Sequence, residues 1–151
     1  ISARFIGFFE EDILQITAIA FFIPLIQATG GNVGIQSSSI VVHSVARPGI
    51  AGEGMLKRLS KVFSVAILNG LLLSIIVFLA NLALGGEQRL SMVVSLALFS
   101  VVVIASFIGT VTPLILDKLG FNPALASGPF ITTTNDLLGL GIYFLVIHLI
   151  L

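Results

Sequence analysis

One carboxylate stands where a carboxylate is costly. Asp136 closes the stretch Ser127-Gly-Pro-Phe-Ile-Thr-Thr-Thr-Asn-Asp136, inside an apolar segment that runs to Leu151 with no other Lys, Arg, Asp or Glu. At the centre of a bilayer such a side chain costs about 2.5–3.5 kcal/mol on insertion scales. It is kept where it meets water, a cation or another protein group, so Asp136 reads as a cation site on a transport path. Helical spacing sets Gly128 or Pro129, Thr132, Thr133, Asp136, Gly139 and Tyr143 along one side of the segment. Pro129 lacks an amide hydrogen and is expected to free carbonyls near Ser127 and Gly128 to accept from water or from an ion's hydration shell. The alternative is a helix-packing face in which Asp136 pairs with Arg4 or a neighbouring hydroxyl.

A second stretch offers oxygens without charge. Gly30-Gly31-Asn32-Val33-Gly34 exposes backbone carbonyls, and Asn32 and Gln36 add side-chain oxygens. Hard divalent cations take oxygen ligands, so neutral carbonyls with one carboxylate suit them. Gly30 and Gly34 also form a Gly-x-x-x-Gly pair, which favours plain helix packing. The two histidines, His43 and His148, have no metal-ligand partner three or four residues away and read as interfacial or packed.

These residues need elements to hold them, and composition says what kind. The 151-residue chain is 57% hydrophobic and 9% charged, with a mean hydropathy of +1.18. Soluble domains carry about 25% charged residues. The class is therefore all-α, a polytopic integral membrane bundle. Net charge is zero, so nothing points to nucleic acid, and without cysteine there is no disulfide, thiolate site or Cys nucleophile. No Ser-His-Asp set, adjacent carboxylate pair or Gly-x-x-x-x-Gly-Lys phosphate loop is visible, so no enzyme is expected.

Charges delimit the spans, each needing about 20 apolar residues. Residues 1–9 are expected to be the end of a first helix whose upstream part is not shown, closed by Glu10-Glu11-Asp12. Residues 13–46 form one long helix, broken at Pro24 and at the glycines that follow. Arg47 to Lys61 is a loop or amphipathic turn. Residues 62–84, 90–116 and 124–151 are the remaining spans. The loop bearing Arg47, Lys57, Arg58 and Lys61 is placed on the cytoplasmic side. Glu10-Glu11-Asp12, the Glu87–Arg89 turn and Leu151 then lie outside.

The stretch Phe21-Phe-Ile-Pro-Leu-Ile-Gln-Ala-Thr-Gly-Gly-Asn-Val-Gly-Ile-Gln-Ser37 resembles the second transmembrane helix of the MgtE family of magnesium channels. Asn122-Pro-Ala-Leu-Ala-Ser-Gly-Pro-Phe-Ile-Thr-Thr-Thr-Asn-Asp136, with Gly139 and Tyr143, resembles the fifth. The two occur in family order and at family-like spacing, and the resemblance covers nearly the whole chain. It implies a five-helix domain that dimerises with itself in a bacterial inner membrane. The pore would lie at the dimer axis, lined by the second and fifth helices. The family's pore aspartate falls on Asp136, and its contacts to the hydrated ion fall near Gly128, Thr132, Gly31 and Asn32. Gly30, Gly34, Gln36, Pro129, Thr133 and Asn135 are the further pore-lining positions expected. Family members usually add a cytosolic N-domain and CBS domains that sense magnesium, none of which lies within this chain.

Mg²⁺ dehydrates reluctantly, so a pore can hold it as a hydrated ion through water to carboxylate and carbonyl oxygens. Two copies would bring two Asp136 side chains together, favouring a divalent ion and setting protons in competition with it. Three readings stay open: a Mg²⁺ channel, a carrier exchanging Mg²⁺ for Na⁺ or H⁺, and a structural membrane subunit. Selectivity over Mn²⁺, Co²⁺ and Ca²⁺ is also open, because hard oxygen sites bind several of these ions.

Overall fold

The structure, a computed structural model, describes residues 17–45, 55–126 and 128–150. The expected first-helix remnant at 1–9 with Arg4, the acidic run Glu10-Glu11-Asp12, the loop residues 46–54, Ser127 and Leu151 lie outside the described residues. Four α-helices follow one another: α1 (Thr17–Val45), α2 (Met55–Ala83), α3 (Gln88–Lys118) and α4 (Pro129–Ile150). A short 3-10 turn, Pro123–Ala126, precedes α4. All four helices are long and apolar enough to cross a membrane, which bears out the all-α membrane bundle.

The break expected in 13–46 is not there. Every residue from Thr17 to Val45 is helical, with Pro24 inside the helix and Gly30, Gly31 and Gly34 beyond it. Proline removes one donor and glycine loosens the chain, but in an apolar medium no water competes for the remaining backbone groups. The helix is then the cheapest way to satisfy them. The third span also begins earlier than expected, at Met55 rather than Val62, because Lys57, Arg58 and Lys61 continue the helix. Lys and Arg are good helix formers, and Lys57 and Lys61 are exposed. Charge did not mark the end of the helix. The fourth helix extends two residues past 90–116 at each end. The expected span 124–151 divides into the 3-10 turn and α4.

α3 sits centrally. α1, α2 and α4 all pack on it, and α1 also packs on α4. The core joins Ile19, Ile23 and Ile26 of α1, Val93, Val94, Ala97, Leu98 and Val101 of α3, and Leu140, Tyr143, Phe144 and Ile147 of α4. α2 turns Leu68, Leu72, Ile75, Ile76 and Leu79 outward, as a helix bathed in lipid does. α3 stops at Gly120, whose φ of +78° opens a left-handed cap. There Gly120 N–H donates to Asp117 O at 3.0 Å and Phe121 N–H to Leu116 O at 2.9 Å, the paired bonds of a Schellman motif. Asn122 Oδ1 then accepts from Ala124 N–H at 2.9 Å and starts the 3-10 turn. At the opposite end of the bundle, Arg89 Nη2 donates to Ile150 O at 2.6 Å. The start of α3 and the end of α4 thus lie on one side, as the alternating topology requires.

Candidate cation site

α1 and α4 run antiparallel, and the register can be followed along both. Tyr143 O–H donates to Ile19 O at 2.9 Å. A methyl placed on Gly139 would stand 3.8 Å from Ile26 Cγ2, and one on Gly30 would stand 3.6 Å from Asn135 O. Further along, Gly31 faces Asp136 and Thr132, and Gly34 faces Asn135 and Ile131. The two stretches singled out in the sequence, seemingly remote at 30–36 and 127–136, therefore meet.

Their meeting point is Gly31. A methyl there would stand 3.0 Å from Asp136 Oδ1 and 3.3 Å from Thr132 Cγ2. The carboxylate thus rests against bare backbone, half-buried. Asn32, the next residue on α1, is exposed. Thr132 Oγ1 donates to Gly128 O at 3.1 Å, so the hydroxyl keeps its oxygen lone pairs for an incoming donor such as a metal-bound water.

Of the carbonyls near Ser127 and Gly128 expected to be freed beside Pro129, Ser127 lies outside the described residues and that of Gly128 is not free. Gly128 O accepts from both Thr132 N–H and Thr132 Oγ1–H, each at 3.1 Å. Pro129 occupies the first helical position, where a backbone N–H would have had no partner in the helix. Gly128 adopts a φ of +90° and turns the chain into α4. Its carbonyl holds Thr132 in place and is not open to an ion's waters in this packing.

The remaining expected residues divide by face. Pro129 and Thr133 are exposed on α4. Gln36 is exposed too, but it lines a cleft of about 220 Å³ with Ser37, Ile40, Lys61, Asn69 and Ser106, on the α2 side of α1. Gly30, Gly34 and Asn135 present no open face within one chain. Gly30 lies against Val101, where a methyl would come within 2.9 Å of Cγ1, and a methyl on Gly34 would collide with the Asn135 amide. Gly139 and Tyr143 also face inward, so the single side expected for 128–143 is two adjacent ladders. Ile131, Asn135 and Gly139 point to the core, and Thr132 and Asp136 lie beside them. His43 and His148 lie exposed in the last turns of α1 and α4.

Sequence reasoning missed the contribution of α3. Gly109 packs on the carbonyl of Gly34, and Ser37 Oγ and Ser106 Oγ share a hydrogen bond of 2.9 Å. The signal was a small residue in α3 matching the glycines of α1. Among the described residues no three His, Asp or Glu side chains gather at one place. Among the described residues one chain brings a single carboxylate, Asp136, to the α1–α4 crossing.

Residues 23–146 match the family model MgtE, described as a divalent cation transporter. The chain is 35% identical over 144 residues to the magnesium transporter MgtE of Bacillus subtilis, covering 95% of this chain and 32% of that protein. It is 34% identical over 143 residues to the magnesium transporter MgtE of Thermus thermophilus, with the same coverage of each. The magnesium transporter MgtE of Enterococcus faecalis is 34% identical over 149 residues. The chain spans about a third of the length of these relatives.

Proposed function

The chain belongs to the MgtE family of divalent cation transporters, and we propose that it forms the membrane pore of a magnesium transporter, with Asp136 as the residue that draws in and selects the ion. The observation that carries this reading is the placement of Asp136 Oδ1 against the bare backbone of Gly31, in a span with no other charged side chain. Thr132 lies beside that point with a hydroxyl oxygen, and Asn32, exposed, is the next residue on α1. Such a set is too sparse to replace the waters of a magnesium ion. It suits an ion that keeps them, held through its hydration shell.

One carboxylate balances half the charge of the ion. A homodimer would bring a second Asp136 to the same axis, and with it the second negative charge. Pro129 and Thr133, exposed on α4, belong to the face that would meet the path, and Gly128 contributes by fixing Thr132. Gly30, Gly34 and Asn135 act from behind, by letting α4 approach α1. Mn²⁺, Co²⁺ and Ca²⁺ are tested as competitors, since hard oxygen sites discriminate among them by size and ligand number. The longer relatives leave room in the full protein for cytosolic domains that sense the ion.

The test is Mg²⁺ uptake into proteoliposomes, wild type beside Asp136→Asn. Asparagine keeps the shape and removes the charge. Uptake is expected to collapse, by about a hundredfold for an interaction of roughly 2.7 kcal/mol in the permeating state. Equal uptake by both proteins would move the selective site away from Asp136.

A further inference from the structure

We propose that Asn135 is a positioning residue for Asp136: its carboxamide serves a second arrangement of α4 along α1, in which it pairs with Ser38. This rests on the reading of Asp136 as the ion site.

In the packing described above, the Asn135 side chain is 1% exposed, and neither Nδ2 nor Oδ1 has a hydrogen-bond partner. The amide sits where a side chain on Gly34 would be, and no space for a water separates them. An unpaired amide in an apolar interior is costly, and more so within a membrane. Shape does not explain it. Leucine branches at the same carbon and would fill the notch with two methyl groups at no polar cost. The present packing therefore penalises its own amide and favours any arrangement that gives the amide a partner.

A partner exists one turn away. Ser38 follows Gly34 by four residues, so it lies on the same face of α1. Its hydroxyl is also buried and also without a partner. Advancing α4 toward the C-terminal end of α1 carries the amide from Gly34 toward that hydroxyl, and one movement then accounts for both orphaned groups. The interface is built to allow it. Gly30, Gly34 and Gly139 carry no side chain of their own into the contact, and packed helices slide by such shear motions; the movement gives up the seat of the Asn135 amide on Gly34 and the Tyr143 bond to Ile19 O. Asp136 is the next residue on α4, so the same movement shifts its carboxylate along α1, away from Gly31. Asn135 in this way couples helix position to ion position without touching the ion.

The experiment compares Asn135→Leu, Ser38→Ala and the double variant in proteoliposomes, with uptake normalised to folded protein and Tm measured on the same samples. Asn135→Leu is expected to raise Tm by about 3 °C, because a buried polar penalty is removed while the branch point at Cγ is kept. Its maximal uptake is expected to fall about tenfold, with the half-saturating Mg²⁺ concentration unchanged. A purely structural asparagine would not move stability and transport in opposite directions. Ser38→Ala is expected to slow uptake likewise, and the double variant to be no slower than either single one. Uptake at the wild-type level in Asn135→Leu, or losses that multiply in the double variant, would overturn the proposal. Should the leucine variant fail to accumulate, Asn135→Ala removes the same amide, and wild-type uptake per folded molecule there overturns it equally. Absence of uptake by the wild-type protein would instead remove the ion-path reading on which the inference stands.

Discussion

Gly31 and Gly34 are three residues apart on α1, yet a methyl group would do different damage at each. At Gly31 it would press on Asp136 Oδ1 and the Thr132 methyl, at 3.0 and 3.3 Å. Both are ends of side chains and can yield by a few tenths of an ångström. Gly31→Ala is therefore expected to fold with nearly unchanged Tm while raising the half-saturating Mg²⁺ concentration several-fold. At Gly34 the methyl would collide with the Asn135 amide and press on Ile131 Cγ2 at 3.0 Å, and the Gly34 carbonyl is already packed against Gly109. Gly34→Ala is expected to cost about 1–3 kcal/mol by overpacking, read as a lower Tm and a smaller folded yield. Concentration-dependent uptake and thermal melts on both variants separate the ion site from the notch behind it. Asp136 stood out in the sequence as the candidate because a lone charge in an apolar span has few uses. Asn135 was expected among the pore-lining positions, and its inward direction was not legible, because residues adjacent in a helix lie about 100° apart. A polar run such as Thr132-Thr-Thr-Asn135 does not say which member faces the core until a neighbouring helix is placed beside it.

The elements show which sequence signals survive a change of solvent. Pro24 and three glycines read as a broken helix by rules that hold in water, where freed backbone groups find new partners. In α1 they leave the helix continuous. The glycines serve instead to bring α4 close, and the helices are then tied by side chains. Tyr143 is the clearest tie: fully buried, it donates to Ile19 O at 2.9 Å, far along α4 from Asp136. Tyr143→Phe keeps the ring and removes the donor. It is expected to cost about 1 kcal/mol and to lower Tm by about 2–4 °C, with the half-saturating Mg²⁺ concentration unchanged. A shift in that concentration would mean that the tie also sets the site. The existence and order of the four described helices could be read from apolar runs and the charges between them. The start of α2 could not, because Lys57, Arg58 and Lys61 obey both the membrane edge and the helix.

For the whole molecule, the question is how many chains make one ion path. Among the described residues Asp136 is the sole charged side chain at the α1–α4 crossing, and it is half-buried rather than enclosed. If each chain carried its own path, a single negative charge would face a doubly charged ion. If two chains share one path on a two-fold axis, the same residue appears twice and the charges match. The two cases differ in how activity falls when wild-type and Asp136→Asn chains are mixed. Separate paths lose activity in proportion to the mutant fraction, so an equal mixture retains about one half. In a shared path that needs both carboxylates, only the pairing of two wild-type chains conducts, and random assembly in an equal mixture leaves about one quarter. Co-expressing the two chains with different tags, and isolating the doubly tagged pairs, sharpens the contrast. With separate paths each mixed pair keeps about half the wild-type uptake, whereas with a shared path it keeps almost none. The shared path is the expected result, because one carboxylate with neutral oxygens leaves half the charge of a hydrated magnesium ion unbalanced where water is scarce.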